Sequence, residues 1–309
     1  MTVSPSLRLA YISRNVADLP RSVAFYCERL GFTPSGPAYD ADPALLRWMG
    51  LPAHAVTARR LRYGHDEIEL VEVGSHGRPY PAHACAADLA FQHFALRCVD
   101  IEAACARLSR TGCSAVLPGI ITRPGASPGD PVAVRLPAAS GGVAAFKFRD
   151  PDGHPLELIE FPSTPDRTNF PDKRSEGIDH SAISVGDTDR SIAFYTALPG
   201  FRLGVRQINQ GPEQYRLDGL DAARVDVVAM QPGEANGMHL ELLGYHSDAT
   251  RPFRSMSSEA HRPADIASDR LVFETAAALP GNRQDGHDEF MTDPDGHFFV
   301  CRARDAFSL

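Results

Sequence analysis

Four residues whose side chains can bind a metal ion occupy matching positions in a sequence that repeats itself. His93 and His180 each lie seven residues before an acidic residue that can start a helix, and Glu157 and Glu241 each lie in a Leu-Glu-Leu stretch of a strand-like segment. Imidazole nitrogens and carboxylate oxygens together suit Zn, Ni, Co, Mn or Fe(II). Taken singly, such histidines are more often hydrogen-bonded core side chains and such glutamates solvent-facing strand residues. Only their shared positions indicate a metal site.

The elements that would position these residues are modules of one kind, used more than once. The segment YISRNVADLPRSVAFYCERLGF at 11–32 returns as HSAISVGDTDRSIAFYTALPGF at 180–201. Each copy predicts a strand, an acidic N-cap at Asp18 or Asp187, and an amphipathic helix that ends at glycine. A weaker copy begins at His93 and a shortened one at Arg270. Four modules therefore fill nearly the whole chain.

Two of the modules close with the same turn. DPDGHPLELIEF at 150–161 and DPDGHFFVCRARD at 293–305 each place an Asp-Pro-Asp-Gly turn before a final strand. The fourth module is abbreviated, because 30 residues separate Arg270 from Val300, whereas 64 separate His93 from Glu157.

The module boundaries predict two domains with a linker rich in proline and polar residues between them. The predicted parts are domain one at 1–162 with modules at about 6–80 and 88–162, the linker at 163–176, and domain two at 177–309 with modules at about 177–247 and 265–305.

Composition narrows the class of protein. The 309 residues carry a formal net charge of −8, with lysines and arginines scattered along the chain, so no basic surface for nucleic acid is expected. No apolar stretch is long enough to span a membrane, and the first residues do not resemble a signal peptide. We expect a cytoplasmic protein. Its six cysteines form no CxxC pair and are expected to be free thiols.

A strand, a helix with the pattern D-x-x-R-S-x-x-F-Y, and a closing strand after Asp-Pro-Asp-Gly resemble the vicinal oxygen chelate superfamily, which includes glyoxalase I, bleomycin resistance proteins and extradiol dioxygenases. The resemblance implies an α+β fold in which four βαβββ modules form two cupped mixed β-sheets with flanking helices. It also implies a metal ligand on the first strand and a glutamate ligand on the last strand of each module. The matching first-strand positions are Tyr11, His93, His180 and Arg270, and the last-strand positions are Glu69, Glu157, Glu241 and Val300.

The order in which modules pair decides which ligands meet. Pairing in chain order would assemble one site from Tyr11, Glu69, His93 and Glu157 and leave His180 and Glu241 in the other domain. Pairing module two with three, and one with four, would assemble His93, Glu157, His180 and Glu241. We favour this crossed pairing, because two histidines with two glutamates make a sound divalent-cation site. Arg270 would repel a cation, and in the crossed arrangement it is expected to form an ion pair near Glu69 and Tyr11.

The resemblance implies a divalent-metal-dependent enzyme of glyoxalase type. It would act as a lyase or isomerase on a small molecule that chelates the metal through vicinal oxygens, with Glu157 or Glu241 as the base. An extradiol dioxygenase using Fe(II) or Mn(II) is an alternative, although Arg270 and Val300 break its expected ligand triad. A metal-free protein that binds a small molecule or antibiotic is a third. A small-molecule substrate and a monomer or homodimer are expected in the first case.

Overall fold

The computed structural model describes residues 7–53, 56–81, 84–90, 92–109, 133–162, 177–220, 223–233, 237–246, 261–275 and 288–303. The predicted linker, 163–176, lies outside these ranges. The strands are β1 (Leu7–Val16), β2 (Thr33–Pro34), β3 (Tyr39–Asp40), β4 (Thr57–Tyr63), β5 (Asp66–Glu72), β6 (Gln92–Arg97), β7 (Val134–Arg135), β8 (Ala144–Arg149), β9 (Pro155–Glu160), β10 (Gly177–Ser184), β11 (Arg202–Gln210), β12 (Arg224–Gln231), β13 (His239–His246), β14 (Arg270–Thr275), β15 (Glu289–Thr292) and β16 (Phe298–Ala303). The helices are α1 (Leu19–Leu30), α2 (Pro43–Met49), α3 (Ile101–Ser109), α4 (Thr188–Thr196) and α5 (Pro212–Asp218).

The strands form two mixed sheets, and each sheet joins one module from the first half of the chain to one module from the second half. The first sheet has the order β15-β16-β14-β1-β5-β4-β2, with β3 also paired to β4, and the second has the order β11-β12-β13-β10-β6-β9-β8-β7. Module one therefore shares a sheet with module four through the antiparallel pair β1 and β14, and module two with module three through β6 and β10. The favoured crossed pairing and the expected α+β class are confirmed.

The repeated helix start has a structural reason that its sequence alone does not reveal. Asp18 caps α1 by accepting a hydrogen bond from the Arg21 backbone N–H at 2.8 Å. The carboxylate of Asp152, in the turn that closes module two, accepts from the Ala17 backbone N–H at 3.1 Å and from the Ser22 hydroxyl at 3.2 Å, and pairs with Arg21. Arg21 and Ser22 of the helix thus contact the third residue of the Asp-Pro-Asp-Gly turn in the next module.

Modules three and four repeat this contact. Asp295 accepts from the Gly186 backbone N–H at 3.2 Å and pairs with the Arg190 side chain. The first aspartate of each turn, in addition, accepts a hydrogen bond from the helix tyrosine at the matching position of the repeat: Tyr26 donates to Asp150 at 2.9 Å and Tyr195 to Asp293 at 3.1 Å. The turns consequently join module one to two and module three to four, whereas the sheets join module one to four and module two to three.

A fully buried charge cluster joins β1, α1 and the segment before β14. Arg14 is 0% exposed, donates to both carboxylate oxygens of Asp269 at 3.0 and 3.1 Å, and donates to the Tyr26 hydroxyl at 2.8 Å. Around it, one large apolar cluster draws residues from both sheets and from α1, α3 and α4. Of the helices that lie in the described ranges, none is long and apolar enough to cross a membrane.

Removing one member of this cluster should lower stability strongly. Asp269→Ala would leave the buried Arg14 guanidinium with only the more distant Asp150 carboxylate, at 3.7 Å, and loss of one partner costs about 3–5 kcal/mol in comparable buried pairs. Arg62→Ala is the control, since the Arg62–Glu67 pair at 2.9 Å is 56% exposed on the arginine side and should contribute about 1 kcal/mol or less. Urea unfolding of both variants measures the difference. Equal midpoints for the two variants would contradict this assignment.

Candidate metal centre

Four adjacent strands of the second sheet carry the histidines and glutamates of modules two and three. His93 lies on β6, Glu157 on β9, His180 on β10 and Glu241 on β13, in the strand order β13-β10-β6-β9. Ala182 pairs with both His93 and Glu241, and residues paired across a sheet point to the same face. All four side chains consequently line one cavity of about 590 Å³.

The distances between ligand atoms are those of a compact cluster. His93 Nε2 lies 2.9 Å from Glu157 Oε2, and His180 Nε2 lies 3.6 Å from that same oxygen. His180 Nε2 also lies 3.6 Å from Glu241 Oε2. One ligand atom from each of His93, Glu157 and His180 falls within 4.8 Å of the other two. Glu241 joins the cluster through His180.

One observation in particular indicates that the cluster fits a divalent ion. His180 Nε2 is buried and makes no hydrogen bond, although it lies midway between two carboxylates. Nitrogen and oxygen ligands bind Zn at about 2.0–2.2 Å, so ligand atoms that share one ion lie roughly 3 Å or a little more apart. A buried nitrogen at 3.6 Å from two acidic oxygens matches an ion between them better than it matches direct hydrogen bonds.

Burial and neighbouring charges set different protonation states for the two histidines. Burial lowers the pKa of His93 to about 4, against the opposing effect of Glu157. Burial would also lower the pKa of His180, but Glu241 and then Asp179 and Glu157 outweigh it and hold that pKa well above its usual value. In the protein without metal, His93 is therefore neutral and His180 protonated near pH 7.

Both glutamates are ionised. Burial would raise the pKa of Glu157, but Lys147, His180 and His93 together lower it well below the usual value. The pKa of Glu241 is lowered too, because His180 and His239 outweigh the effect of burial. The two carboxylates are thus already in the form that binds a cation. Neutral His93 needs only a change of tautomer, because its Nε2–H donates to Glu157 in the protein without metal.

Metal affinity should rise with pH for this reason. The ion can bind His180 Nε2 only after the proton has left. His93, with a pKa of about 4, and the two glutamates, whose pKa values are lowered, have already lost their protons over most of the range up to pH 7. We expect the logarithm of the apparent association constant to rise by about one unit per pH unit between roughly pH 5 and 7. Titration with Co(II) in a series of buffers measures the slope, and an affinity independent of pH in this range would contradict it.

The matching positions of modules one and four form a second, smaller cavity of about 250 Å³ in the first sheet, lined among others by Tyr11, Glu69, Arg270 and Val300. Tyr11 and Glu69 lie in a different sheet from His93 and Glu157, so the structure does not assemble the chain-order site. Arg270 donates to the Ser13 hydroxyl at 2.9 Å, and that hydroxyl donates to Glu69 at 2.6 Å. The expected Arg270–Glu69 contact is hence bridged by a hydroxyl rather than direct.

Sequence reasoning missed three charged residues around the ligands. Lys147 on β8 pairs directly across from Glu157 on β9, and its ammonium lies 2.7 Å from Asp218. Asp179 and Arg97 form an ion pair beside His180. The only available signal was the position of Asp179 immediately before a candidate ligand, which repeats in no other module except as Asp269 before Arg270.

Two cupped sheets of paired modules, with histidine and glutamate side chains from four adjacent strands in one cup, define a glyoxalase-type fold. Residues 8–158 match the family model described as the Glyoxalase/Bleomycin resistance protein/Dioxygenase superfamily. This stretch, just under half of the chain, has the sequence pattern of that superfamily.

Relatives and solved structures agree with that assignment. Lactoylglutathione lyase GLX1 of Arabidopsis thaliana is 26% identical over 210 residues, which are 68% of this chain and 60% of that protein. The chain thus matches less than two thirds of the length of this curated relative. Glyoxalase I from Zea mays has the same fold, with a TM-score of 0.57 and 20% identity over 97% of this chain and 93% of that one. A putative dioxygenase from Bacillus subtilis subsp. subtilis str. 168 also shares the fold, at a TM-score of 0.55 and 9% identity over 97% and 86%.

Proposed function

We propose that this protein is a divalent-metal-dependent lyase or isomerase of glyoxalase type, which moves a proton between neighbouring carbons of a small molecule with two vicinal oxygens. The observation that carries the proposal is the convergence of His93, Glu157, His180 and Glu241 on one cavity, with His180 Nε2 buried between two carboxylates. These four residues would hold the ion. When bound, a divalent ion there would polarise a substrate oxygen and stabilise the negative charge that develops as the adjacent carbon loses its proton.

The two glutamates differ in exposure and in how closely their neighbours hold them, and this difference selects the catalytic base. The Glu157 side chain is 7% exposed, accepts a hydrogen bond from His93 Nε2 at 2.9 Å, and lies opposite Lys147 in the strand pair. The Glu241 side chain is 20% exposed, its contacts with His180 and His239 are 3.6 and 3.4 Å long, and Ala229 stands opposite it. Glu241 is therefore the residue that takes the proton from the substrate carbon and returns it to the neighbouring carbon, whereas Glu157 stays in place.

The rest of the cavity wall supports this role. Apolar side chains such as Ile159, Leu217, Val227 and Leu243 line it together with the ligands. They limit the water that reaches the reacting atoms and so strengthen the electrostatic effects of the site.

All four ligands come from one chain, so a single copy suffices to build the site, in agreement with a monomer or a homodimer. Zn, Ni, Co, Mn and Fe(II) all suit these ligands, and we propose the cytoplasm as the compartment.

The test uses the metal-loaded protein and the substrate that its relatives' names suggest. The adduct of glutathione with a 2-oxoaldehyde should be converted to the thioester, and a chelator should abolish the reaction until a divalent ion is returned. Oxygen consumption with catechols in Fe(II)- or Mn(II)-loaded protein would instead support the dioxygenase. Tight binding of a small molecule without metal, unaffected by His93→Ala and His180→Ala, would overturn the enzyme proposal in favour of a binding protein.

A further inference from the structure

Strand β10 contains one residue more than its partner strand at the point where it enters the cavity. In the pairing with β6, Ile178 stands opposite Leu96 and His180 opposite Ala95, so Asp179 has no partner. Successive strand residues normally point to opposite faces, and an extra residue of this kind re-aims a side chain. As a result Asp179 and His180, although adjacent in sequence, both line the metal cavity.

The Asp179 carboxylate holds the far side of the His180 ring. Its Oδ2 lies 2.9 Å from His180 Nδ1, and its Oδ1 accepts a hydrogen bond from Arg97 Nε at 2.6 Å. An ionised carboxylate can only accept, so His180 Nδ1 carries the proton of this hydrogen bond. The Nε2 atom is thereby directed at Glu157 and Glu241, at 3.6 Å from each.

The same irregularity occurs in the repeat that lacks a complete ligand set. In β1 the register shifts between Leu9 and Tyr11, which leaves Ala10 as the additional residue and Tyr11 at the position of His180. The additional residue thus occurs in both module one and module three. Only in module three, beside His180, does it carry a carboxylate. Alanine can accept no hydrogen bond from a ring, which accords with a position where no ligand has to be oriented.

We propose that Asp179 is a positioning residue that acts through His180: it fixes the ring so that Nε2 faces the other ligands and makes that nitrogen a stronger donor to the ion. Arg97 in turn holds Asp179. The inference rests on the proposed metal-dependent function, because it concerns how tightly the ion is held. Partners of this kind, one step removed from the ion, typically contribute about 10–100-fold to metal affinity.

The experiment is a titration of metal-free full-length protein with Co(II), followed through the visible absorption of the bound ion. Asp179→Ala should weaken Co(II) binding by about 10–100-fold. Asp179→Asn keeps an oxygen that can accept the hydrogen bond but loses the charge, so its affinity should fall between those of Asp179→Ala and the unmodified protein. Both variants should also lose or shift the proton resonance of His180 Nδ1–H in the metal-free protein, which a general loss of stability would not do selectively.

Asp226→Asn is the matched control. Asp226 is 2% exposed against 5% for Asp179, binds Arg206 through both oxygens at 3.1 Å, and lies on β12 of the same sheet between Val225 and Val227, which face the cavity. It therefore faces away from the ligands. This substitution should leave the affinity for Co(II) unchanged.

The two hypotheses fail in different ways. If the unmodified protein binds no stoichiometric Co(II), the proposed metal-dependent function is overturned, and the inference with it. If the unmodified protein binds Co(II), His93→Ala abolishes binding, and Asp179→Ala and Asp179→Asn both bind as tightly as Asp226→Asn, the metal site stands and the positioning role of Asp179 is overturned. Should Asp179→Ala fail to fold, Asp179→Asn alone decides between these results.

Discussion

Glu157→Gln should abolish stoichiometric metal binding, whereas Glu69→Gln should leave it intact. Glu157 is 5% exposed and accepts contacts from both histidines of the cluster, and the amide that replaces it carries no charge to offset the cation. Loss of a direct ligand should cost more than loss of an indirect partner, so we expect affinity to fall by about 100-fold or more. Elemental analysis after dialysis, with Co(II) titration, measures both variants.

The control is closely matched to the test. Glu69 is 8% exposed and occupies the equivalent position on the last strand of module one, where Ser13 and Tyr39 donate hydrogen bonds to it, each at 2.6 Å. The two substitutions therefore remove the same charge from the same place in two sheets. Loss of metal from Glu69→Gln but not from Glu157→Gln would show that the ion belongs to the other sheet.

Glu241→Gln should reduce turnover far more than it reduces metal occupancy. A positioned base contributes about 10²–10⁴-fold to the rate, and the glutamine amide oxygen can still contact the ion although it cannot accept the substrate proton. The value of kcat at saturating metal and substrate should fall by that factor, with a small change in KM. The substrate is the glutathione adduct described above.

His239→Gln serves as the comparison for this effect. His239 Nε2 lies 3.4 Å from Glu241 Oε1, so the variant changes the surroundings of the base without removing it. Its kcat should be reduced much less than that of Glu241→Gln. If metal-saturated Glu241→Gln retained the turnover of the unmodified protein, Glu241 would not be the base, and Glu157 would be the remaining candidate.

The sequence was sufficient to predict the architecture and to single out four side chains that line one cavity. Repeated modules and closing turns predicted the α+β fold, and the distribution of His93, Glu157, His180 and Glu241 favoured the crossed pairing that the strand order confirms. The modules follow from periodicity and internal repetition, whereas the two cupped sheets and the candidate ligand positions are what the resemblance to the superfamily implies. The role of these residues as metal ligands stays a proposal.

The same reasoning could not predict contacts between residues that are far apart in the sequence. The repeat displayed Arg21, Ser22 and Tyr26 as a signature, but their partners Asp150 and Asp152 lie more than a hundred residues away and are recognised only in three dimensions. An added strand residue such as Asp179 leaves no mark on alternating hydrophobicity in a strand that is buried throughout. The hydroxyl bridge through Ser13 depended on side-chain lengths that spacing does not encode.

We propose that one ion binds where modules two and three meet. Diffraction from crystals of the metal-loaded protein, recorded at the absorption edge of the ion, tests it most directly. We predict one anomalous peak per chain, in contact with His93, Glu157, His180 and Glu241. A peak beside Tyr11 and Glu69, or no peak in fully loaded protein, would contradict the account.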